Sequence, residues 1–220
     1  MGGHDPEAYR LTTVTATIDA HYASTPPRPE RGPARPYATL RCMTAADRRF
    51  ESLAGRTVYE GRIVTLRIER YRFADGEEVE REVIRHQGAV GIVAHDGTDL
   101  FLVRQPREVV GDPDFLEIPA GRLDVEGEAP LQAAQRELAE ELGKGAEHWE
   151  HITDYVSSVG VMDEVVHVYL ATGLRDEDAE AEDNERIEIV RWPLADLDGA
   201  IDATRDAKTL IALLWLKASR

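Results

Sequence analysis

The most informative stretch of the sequence reads Glu128-Ala-Pro-Leu-Gln-Ala-Ala-Gln-Arg-Glu-Leu-Ala-Glu-Glu-Leu-Gly143. Proline suits the first position of a helix and glycine suits the position just past the last turn, so the stretch predicts a helix from Pro130 to Leu142. At about 100° per residue, four apolar side chains of this helix form one stripe that can dock on a sheet. They are Leu131, Ala134, Leu138 and Leu142.

Three glutamates of the predicted helix are candidate metal ligands. Glu137 and Glu141 lie one turn apart at the border of the apolar stripe, and Glu140 lies further round toward solvent. Like charges at this spacing destabilise a helix by a few tenths of a kcal/mol, and a neighbouring apolar stripe raises that cost. Carboxylate clusters suit hard cations such as Mg²⁺ or Mn²⁺. A solvated acidic face is the alternative interpretation.

Two features of the flanking sequence favour the metal site over that alternative. Arg136 can reach back toward Glu128 and pin the loop that precedes the helix. The stretch Pro119-Ala-Gly121 ends a predicted strand before that loop, where a backbone carbonyl can face the same cation.

The segment from Gly121 to Lys144 resembles the Nudix box, G-x5-E-x7-R-E-U-x-E-E-x-G-U, in which U is an aliphatic residue. Seven fixed positions of the box are present, namely Gly121, Glu128, Arg136, Glu137, Glu140, Glu141 and Gly143. There are two departures: six residues instead of five separate Gly121 from Glu128, and Lys144 replaces the usual aliphatic residue. Neither departure removes a candidate ligand, and Gly127 gives the longer loop its flexibility.

The resemblance implies a hydrolase of nucleoside diphosphate derivatives that uses Mg²⁺ or Mn²⁺, with two or more ions per site. It implies that Glu137 and Glu141 are the principal metal ligands, that Glu140 is an accessory ligand with a catalytic role, and that the carbonyl of Ala120 is a main-chain ligand. The remaining residues of the box have implied structural roles: Gly121, Gly143, and Glu128 and Arg136 as an ion pair.

Stretches outside the box resemble the ADP-ribose pyrophosphatase branch of the Nudix family. They are residues 102–107, 116–124, 158–164 and 206–210, together with the hairpin before the domain, and they extend the resemblance to about residues 55–217. This resemblance implies hydrolysis of ADP-ribose to AMP and ribose 5-phosphate. Another nucleoside diphosphate sugar or a dinucleotide is the alternative substrate. A non-catalytic domain that senses ADP-ribose is the alternative function.

Four residues outside the box are further candidates for the site. Glu164 matches a loop glutamate that helps to activate water in that branch, although it could be an ordinary loop carboxylate. Val159 of the same loop stands where proline is common. Arg104, Arg107 and Glu117 are candidate substrate ligands, the arginines for phosphate and Glu117 for a hydrogen bond to ribose or to a metal-bound water. Either arginine could instead bind a neighbouring carboxylate.

The remaining sequence predicts a mostly β domain. Residues 62–73 and 78–85 alternate apolar and polar side chains around Asp75-Gly76, which predicts a hairpin. The apolar runs 89–94 and 100–103 predict central strands. A loop is predicted at 111–114, which is rich in glycine, proline and aspartate. Later strands are predicted at 151–157, 165–171 and 187–192. A final helix is predicted over 206–217, with Leu210, Leu213, Leu214 and the stem of Lys217 on one side.

This order of elements predicts an α+β fold. The resemblance specifies it as a Nudix fold, in which a mixed β-sheet is sandwiched between helices, with an N-terminal antiparallel β subdomain. Residues 1–45 are predicted to be a disordered extension, since residues 25–36 are rich in proline and arginine. Residues 46–86 form the predicted β-hairpin subdomain, through which the resemblance implies a homodimer. Residues 87–220 form the predicted hydrolase domain.

Charge and composition limit the partners of the chain. Its 220 residues include 42 acidic and 26 basic side chains, and the net charge of −16 disfavours nucleic-acid binding. A small phosphorylated substrate then needs bound metal or local arginines at the site. The sequence has no apolar run long enough to span a membrane, and its single cysteine, Cys42, cannot form an internal disulfide. Cytoplasmic localisation is the default expectation.

Overall fold

The computed structural model describes residue 45, residues 48–178 and residues 186–220. The extension predicted for residues 1–45 lies almost entirely outside these ranges. Among the described residues, no helix is long and apolar enough to cross a membrane.

The N-terminal part of the described chain is a four-stranded antiparallel sheet. Its strands are β1 (Phe50–Ser52), β2 (Arg56–Glu60), β3 (Thr65–Phe73) and β4 (Glu78–Arg85). Strand β3 is central: β4 pairs along one edge, and β1 and β2 share the other edge. The predicted hairpin is therefore confirmed as β3 and β4. Strands β1 and β2 were not predicted, because they are short and every residue in them is exposed, so no burial pattern marks them.

The larger sheet has seven strands of mixed direction. They are β5 (Ala89–His95), β6 (Asp99–Arg107), β7 (Asp112–Glu117), β8 (Ala120–Arg122), β9 (Lys144–Val156), β10 (Val165–Asp176) and β11 (Glu188–Pro193). The order is β11-β6-β5-β10-β9, and β10 runs parallel to β5. Strands β5 and β6 pair only next to their turn, and beyond it β7 pairs with β6 and β8 with β5. The two strands therefore diverge, which leaves an opening in the sheet.

Helices cover both faces of this sheet. They are α1 (Pro130–Leu142), α2 (Leu197–Ala203) and α3 (Ala207–Ala218), with a 3-10 turn at Glu108–Val110. Helix α1 packs with β5, β6 and β10 in one apolar cluster, and α2 and α3 pack in a second cluster that also includes β7 residues. Large apolar side chains buried in this way each stabilise the fold by about 1.5–3 kcal/mol. The predicted α+β class, with a mixed sheet between helices, is confirmed.

The buried faces of two helices differ from the predicted stripes. In α1, Leu131 is 37% exposed, and the stripe is completed by Ala133, which is fully buried. In α3, Leu214 is 54% exposed, and the docked face consists of Thr209, Ala212, Leu213 and Leu216. Both predictions assigned the buried face mainly from the positions of leucines. The structure also buries small side chains, Ala133 in α1 and Thr209 and Ala212 in α3, which allow each helix to approach the sheet closely.

Two element boundaries and one helix also differ from the predictions. Strand β9 begins at Lys144, directly after α1, instead of at His151. The segment 112–114, expected as a loop from its proline and aspartates, is the start of β7. Helix α2 was not predicted. The ends of α1 agree with the sequence, since Pro130 is its first residue and Gly143 caps it with a left-handed φ of 62°.

Candidate active site

A cavity of about 490 Å³ lies where the ends of several elements converge. One wall comes from α1 and β8, another from β6 and the first turn of α3, and a third from the loop between β9 and β10. Topology explains this convergence: the divergence of β5 and β6 opens the sheet here, and β7 and β8 lead the chain back into the opening.

Two glutamates of α1 face the cavity while remaining largely buried. Glu137 is 9% exposed and Glu141 is 7% exposed, and both lie beside the apolar stripe of the helix. The backbone N–H of Ala120 donates a 3.1 Å hydrogen bond to Oε2 of Glu141. Gly121 leaves the space that the other carboxylate occupies, because a Cβ at this position would lie 1.8 Å from Cδ of Glu137. Strand β8 therefore shapes the surroundings of both glutamates.

Arg136 connects the glutamates of the Nudix-like segment. Its Nε and Nη2 each donate a 3.1 Å hydrogen bond to Glu128, so the contact implied by the motif is present. Its Nη1 also donates to Glu137 at 2.7 Å and to Glu140 at 2.8 Å, two contacts that the sequence analysis did not anticipate. The hydrogen bonds to Glu128 are the main cause that raises the pKa of Arg136, and burial opposes them. The guanidinium therefore stays charged and holds three carboxylates together.

Basic side chains on the opposite wall are held by one buried carboxylate. Glu117 is almost fully buried and forms ion pairs with both Arg107 and Lys208. Lys208 also pairs with Asp206 at 3.0 Å. Arg107 and Lys208 line the cavity, whereas Glu117 does not, so Glu117 positions the two cations from behind. Hydrogen bonding to Glu117 is the main cause that raises the pKa of Arg107.

The start of α3 is fixed to the strand that carries Glu117. The N–H of Ile118 donates a 2.9 Å hydrogen bond to Oγ1 of Thr209, whose own hydroxyl donates to Asp206 at 2.6 Å. Asp206 also caps the helix by accepting from the N–H of Thr209. This chain of contacts fixes Lys208 relative to Glu117.

Glu164 lines the cavity from the loop that follows β9. Its Oε1 lies 3.3 Å from Nδ1 of His86, and the same nitrogen accepts a 3.0 Å hydrogen bond from the N–H of Gly88. The preceding residue, Asp163, accepts from the N–H of His86 at 2.9 Å and from Nη1 of Arg85 at 2.8 Å. The loop that carries Glu164 is thus attached to the end of β4.

Backbone contacts reinforce this attachment. The N–H of Ile84 donates to the carbonyl of Val161 at 2.8 Å, and the N–H of Asp163 donates to the carbonyl of Ile84 at 3.2 Å. The N-terminal sheet therefore sets the position of Glu164, although it contributes few of the residues that line the cavity.

The donor set at α1 fits a hard divalent cation. Buried or partly buried carboxylates from one helix face a backbone strand across a polar cavity, and oxygen ligands are those that Mg²⁺ and Mn²⁺ prefer. Gly121 preserves the space for one of these carboxylates. Glu137, Glu141 and Glu140 are therefore the side chains that would hold such a cation.

Comparison with known protein families gives one match that includes this site. The model of the NUDIX domain matches residues 85–214. The chain belongs to the Nudix family. The match covers the cavity-lining parts of α1, β6, β8 and α3, as well as the loop that carries Glu164.

Individual relatives of this Nudix protein differ in their names. An ADP-ribose pyrophosphatase from Mycobacterium tuberculosis is 44% identical over 132 residues, which cover 60% of this chain and 63% of the relative, slightly less than two thirds of its length. A methanol dehydrogenase activator from Bacillus methanolicus is 33% identical, covering 73% of this chain and 88% of the relative. An ADP-ribose pyrophosphatase from Bacillus subtilis is 33% identical, covering 76% of this chain and 92% of the relative.

A solved structure agrees with the fold. The crystal structure of an ADP compounds hydrolase superposes with a TM-score of 0.70 and 24% sequence identity, covering 80% of this chain and 96% of that chain. At this level of identity the likeness shows the architecture alone.

The structure brings most of the candidate site residues of this Nudix protein to the cavity, and four lie outside its lining: Arg104, Glu117, Glu128 and Gly143. The candidates that line the cavity are Ala120, Gly121, Glu137, Glu140, Glu141, Arg136, Arg107 and Glu164. Arg104 lies outside the lining and donates a 3.1 Å hydrogen bond to Asp114. Glu117 also lies outside it, and its carboxylate forms ion pairs with Arg107 and Lys208. Its contact with ribose or a metal-bound water stays a prediction.

Sequence reasoning assigned no site role to several polar residues that line the cavity, and Lys208 and His86 are two of them. Lys208 lies in the stretch 206–210, which was singled out without a role for its lysine. A charged residue in the first turn of a helix, next to a capping aspartate, was the available signal. His86 directly follows β4, and only the three-dimensional structure brings it to Glu164.

Proposed function

We propose that this Nudix protein hydrolyses the diphosphate bond of ADP-ribose, giving AMP and ribose 5-phosphate. The observation that carries the proposal is the pair Glu137 and Glu141, held at a cavity whose opposite wall presents Arg107 and Lys208. A diphosphate fits such a cavity, because the carboxylates can hold a metal ion and the basic side chains can bind phosphate oxygens. Two relatives named ADP-ribose pyrophosphatase support this choice among nucleoside diphosphate derivatives.

Mg²⁺ or Mn²⁺, with two or more ions per site, is the proposed cofactor. Glu137 and Glu141 would hold the metal as principal ligands, with Glu140 as accessory ligand and the carbonyl of Ala120 as main-chain ligand. When bound, the metal neutralises diphosphate charge and lowers the pKa of coordinated water. The resulting local positive charge lets a protein of net charge −16 accept a polyanion.

The side chains of this chain have separate proposed roles in the reaction. Glu164 accepts a proton from the attacking water, whose oxygen forms a bond to one phosphorus atom. The bond between that phosphorus and the bridging oxygen breaks, and the bridging oxygen leaves with the other phosphate. Arg107 and Lys208 bind the phosphate oxygens and stabilise the charge that develops on them. Glu140 would act as the accessory metal ligand, and its Oε2 accepts a 2.8 Å hydrogen bond from Nη1 of Arg136.

A homodimer formed through the N-terminal sheet is part of the proposal. Phe50, Val58 and Tyr59 in this sheet and Ile63 in the bend between β2 and β3 are between 47% and 62% exposed, so several large apolar side chains face solvent in one region. Ile63 also lines the cavity, so a partner covering this surface would lie close to the substrate. We further propose that the ligand is a small nucleotide and that the protein binds neither nucleic acid nor membrane. The proposed location is the cytoplasm.

The test is metal-dependent release of AMP from ADP-ribose by the full chain. We expect activity with Mg²⁺ or Mn²⁺ and loss of activity with a chelator. Glu141→Gln and Glu137→Gln should each lower kcat/KM at least about 100-fold, because transition-state stabilisation of several kcal/mol depends on the metal. The matched control is Glu147→Gln, an exposed glutamate outside the cavity, which should leave the rate unchanged.

A substrate panel then separates the reaction from the choice of substrate. It contains ADP-ribose, ADP-glucose, GDP-mannose, NADH and diadenosine polyphosphates. A higher kcat/KM for another member would refute ADP-ribose as the substrate while leaving the chemistry intact. Binding of ADP-ribose without turnover in the presence of either metal would refute hydrolysis itself and favour a sensor.

A further inference from the structure

A cluster of two histidines and one aspartate lies on strands β9 and β10, away from the cavity. Nε2 of His151 lies 2.6 Å from Oδ1 of Asp154, and Nδ1 of His167 lies 2.7 Å from the same oxygen. The three ligand atoms all lie within 4.8 Å of one another. None of the contacts proposed for hydrolysis uses these residues.

A β-bulge makes this cluster possible. In a regular strand, residues three positions apart point to opposite faces, so His151 and Asp154 would be separated by the sheet. The register of β9 against β10 pairs Thr153 with Val168 but His151 with Tyr169, which leaves Ile152 as the extra residue. The bulge therefore brings His151 and Asp154 to the same face, where His167 lies directly opposite Asp154 in the ladder.

The cluster lies on the far side of the sheet from the cavity. Tyr155 and Val166 pair directly next to Asp154 and His167, and both of them line the cavity. Since successive residues of a strand alternate faces, Asp154 and His167 point away from the cavity. A ligand held by the cluster would therefore connect β9 and β10 directly behind the cavity wall.

We propose that His151, Asp154 and His167 form a second metal site, selective for Zn²⁺ or a similar transition-metal ion. Two imidazoles and one carboxylate are the ligands that such ions prefer, whereas Mg²⁺ prefers oxygen ligands alone. Three protein ligands leave a further coordination position for water or an exogenous ligand. This site is independent of the proposed hydrolysis and of the metal at α1.

The surroundings of the cluster suit a cation. His151 and Asp154 are each 47% exposed, which leaves a metal ion free access and lets the side chains adjust to coordination distances of about 2.0–2.2 Å. Tyr169 packs edge-on against His151 at 5.4 Å and supports the ring.

The test is a titration of the full chain with ZnCl₂ in excess Mg²⁺, which keeps the hard-cation site occupied. Isothermal calorimetry should show one Zn²⁺ bound per chain. His151→Gln, Asp154→Asn and His167→Gln should each weaken Zn²⁺ binding at least about tenfold. His148→Gln, an exposed histidine on the same strand outside the cluster, should bind Zn²⁺ as the parent does, and Glu141→Gln should also retain the site.

A spectroscopic measurement keeps the test independent of folding defects. Co²⁺ in place of Zn²⁺ should give visible absorption bands in the parent and in Glu141→Gln, and these bands should disappear in His151→Gln. His151 is half-exposed, so this variant should fold even if His167→Gln does not. Zn²⁺ isotherms and Co²⁺ spectra that are the same in the parent and in His151→Gln would overturn the proposal.

Discussion

The carboxylate of Glu137 fills the space that a side chain at Gly121 would need. A Cβ on Gly121 would lie 1.8 Å from the carboxyl carbon of Glu137 and 1.9 Å from its Oε1. The three nearest atoms all belong to the flexible end of the Glu137 side chain. A methyl group at this position should therefore displace the carboxylate without unfolding the chain.

Gly121→Ala should lower kcat/KM for ADP-ribose at least about tenfold and raise the Mg²⁺ concentration needed for half-maximal rate, because Glu137 is moved from its position. Its thermal midpoint should stay within a few degrees of the parent. The matched control is Gly160→Ala, where a Cβ meets nothing within 4 Å. An unchanged Mg²⁺ dependence in Gly121→Ala would contradict the role assigned to Glu137.

Arg107 and Arg104 allow a direct test of which arginine binds phosphate. Arg107 lines the cavity, whereas Arg104 lies outside it and pairs with Asp114. Arg107→Gln should raise KM for ADP-ribose at least about tenfold, since a charge-assisted contact of about 1.5–3 kcal/mol is lost. Lys208 still pairs with Glu117 in this variant, so the buried carboxylate keeps a partner. Steady-state kinetics of Arg107→Gln and Arg104→Gln measure the two effects. A larger rise in KM for Arg104→Gln than for Arg107→Gln would refute this assignment.

The part of the fold that the sequence predicts is the part with strong local patterns. Helix α1 could be bounded at both ends because Pro130 and Gly143 have position-specific backbone preferences. The strands β5, β6 and β10 follow apolar patterns that burial enforces, whereas β3 and β4 follow an alternation of apolar and polar residues around a turn. Strands β1 and β2 are exposed throughout, so the pairing with β3 that defines them leaves no local signal.

The candidate site divides in the same way. Glu137 and Glu141 could be found because their spacing on one helix fixes their separation. The ion pair of Glu117 with Lys208 could not be found in the same way, because the two residues are adjacent only after the sheet and α3 have packed. For the same reason the sequence could not decide whether Arg104 or Arg107 binds phosphate. The pairing of β6 with β7 gives the two arginines different surroundings.

We expect the pair of Glu128 and Arg136 to be structural, so its removal should affect the stability of the fold more than the binding of metal. Glu128→Gln should lower the free energy of unfolding by about 1–2 kcal/mol, because two charge-assisted hydrogen bonds to a largely buried arginine are weakened. Arg136 keeps its contacts with Glu137 and Glu140, so the Mg²⁺ dependence of the rate should change little. Urea denaturation and Mg²⁺ titration measure both effects, with exposed Glu126→Gln as control. A large change in Mg²⁺ dependence without a loss of stability would assign Glu128 to the metal instead.

The ion pair of Arg85 and Asp163 should make the stability of the protein depend on pH in the acid range. Burial alone would raise the pKa of Asp163, but hydrogen bonds from Arg85 and from the N–H of His86 outweigh it and hold that pKa below its ordinary value of 3.8. A carboxyl whose pKa is lower in the folded state contributes stability above its unfolded pKa. That contribution is lost as the pH falls through the lower, folded value.

Asp163→Asn should therefore be less stable than the parent at neutral pH, and its free energy of unfolding should fall less steeply below about pH 4. Its kcat should also decrease, because Asp163 anchors the loop that carries Glu164 to Arg85 and His86. Urea denaturation at several pH values, with Arg85→Gln to complete a double-mutant cycle, measures the coupling. Asp198→Asn is the control, since its exposed pair with Lys217 should contribute about 0–1 kcal/mol. Parallel pH profiles for the parent and Asp163→Asn would show that the link to Arg85 does not stabilise the loop.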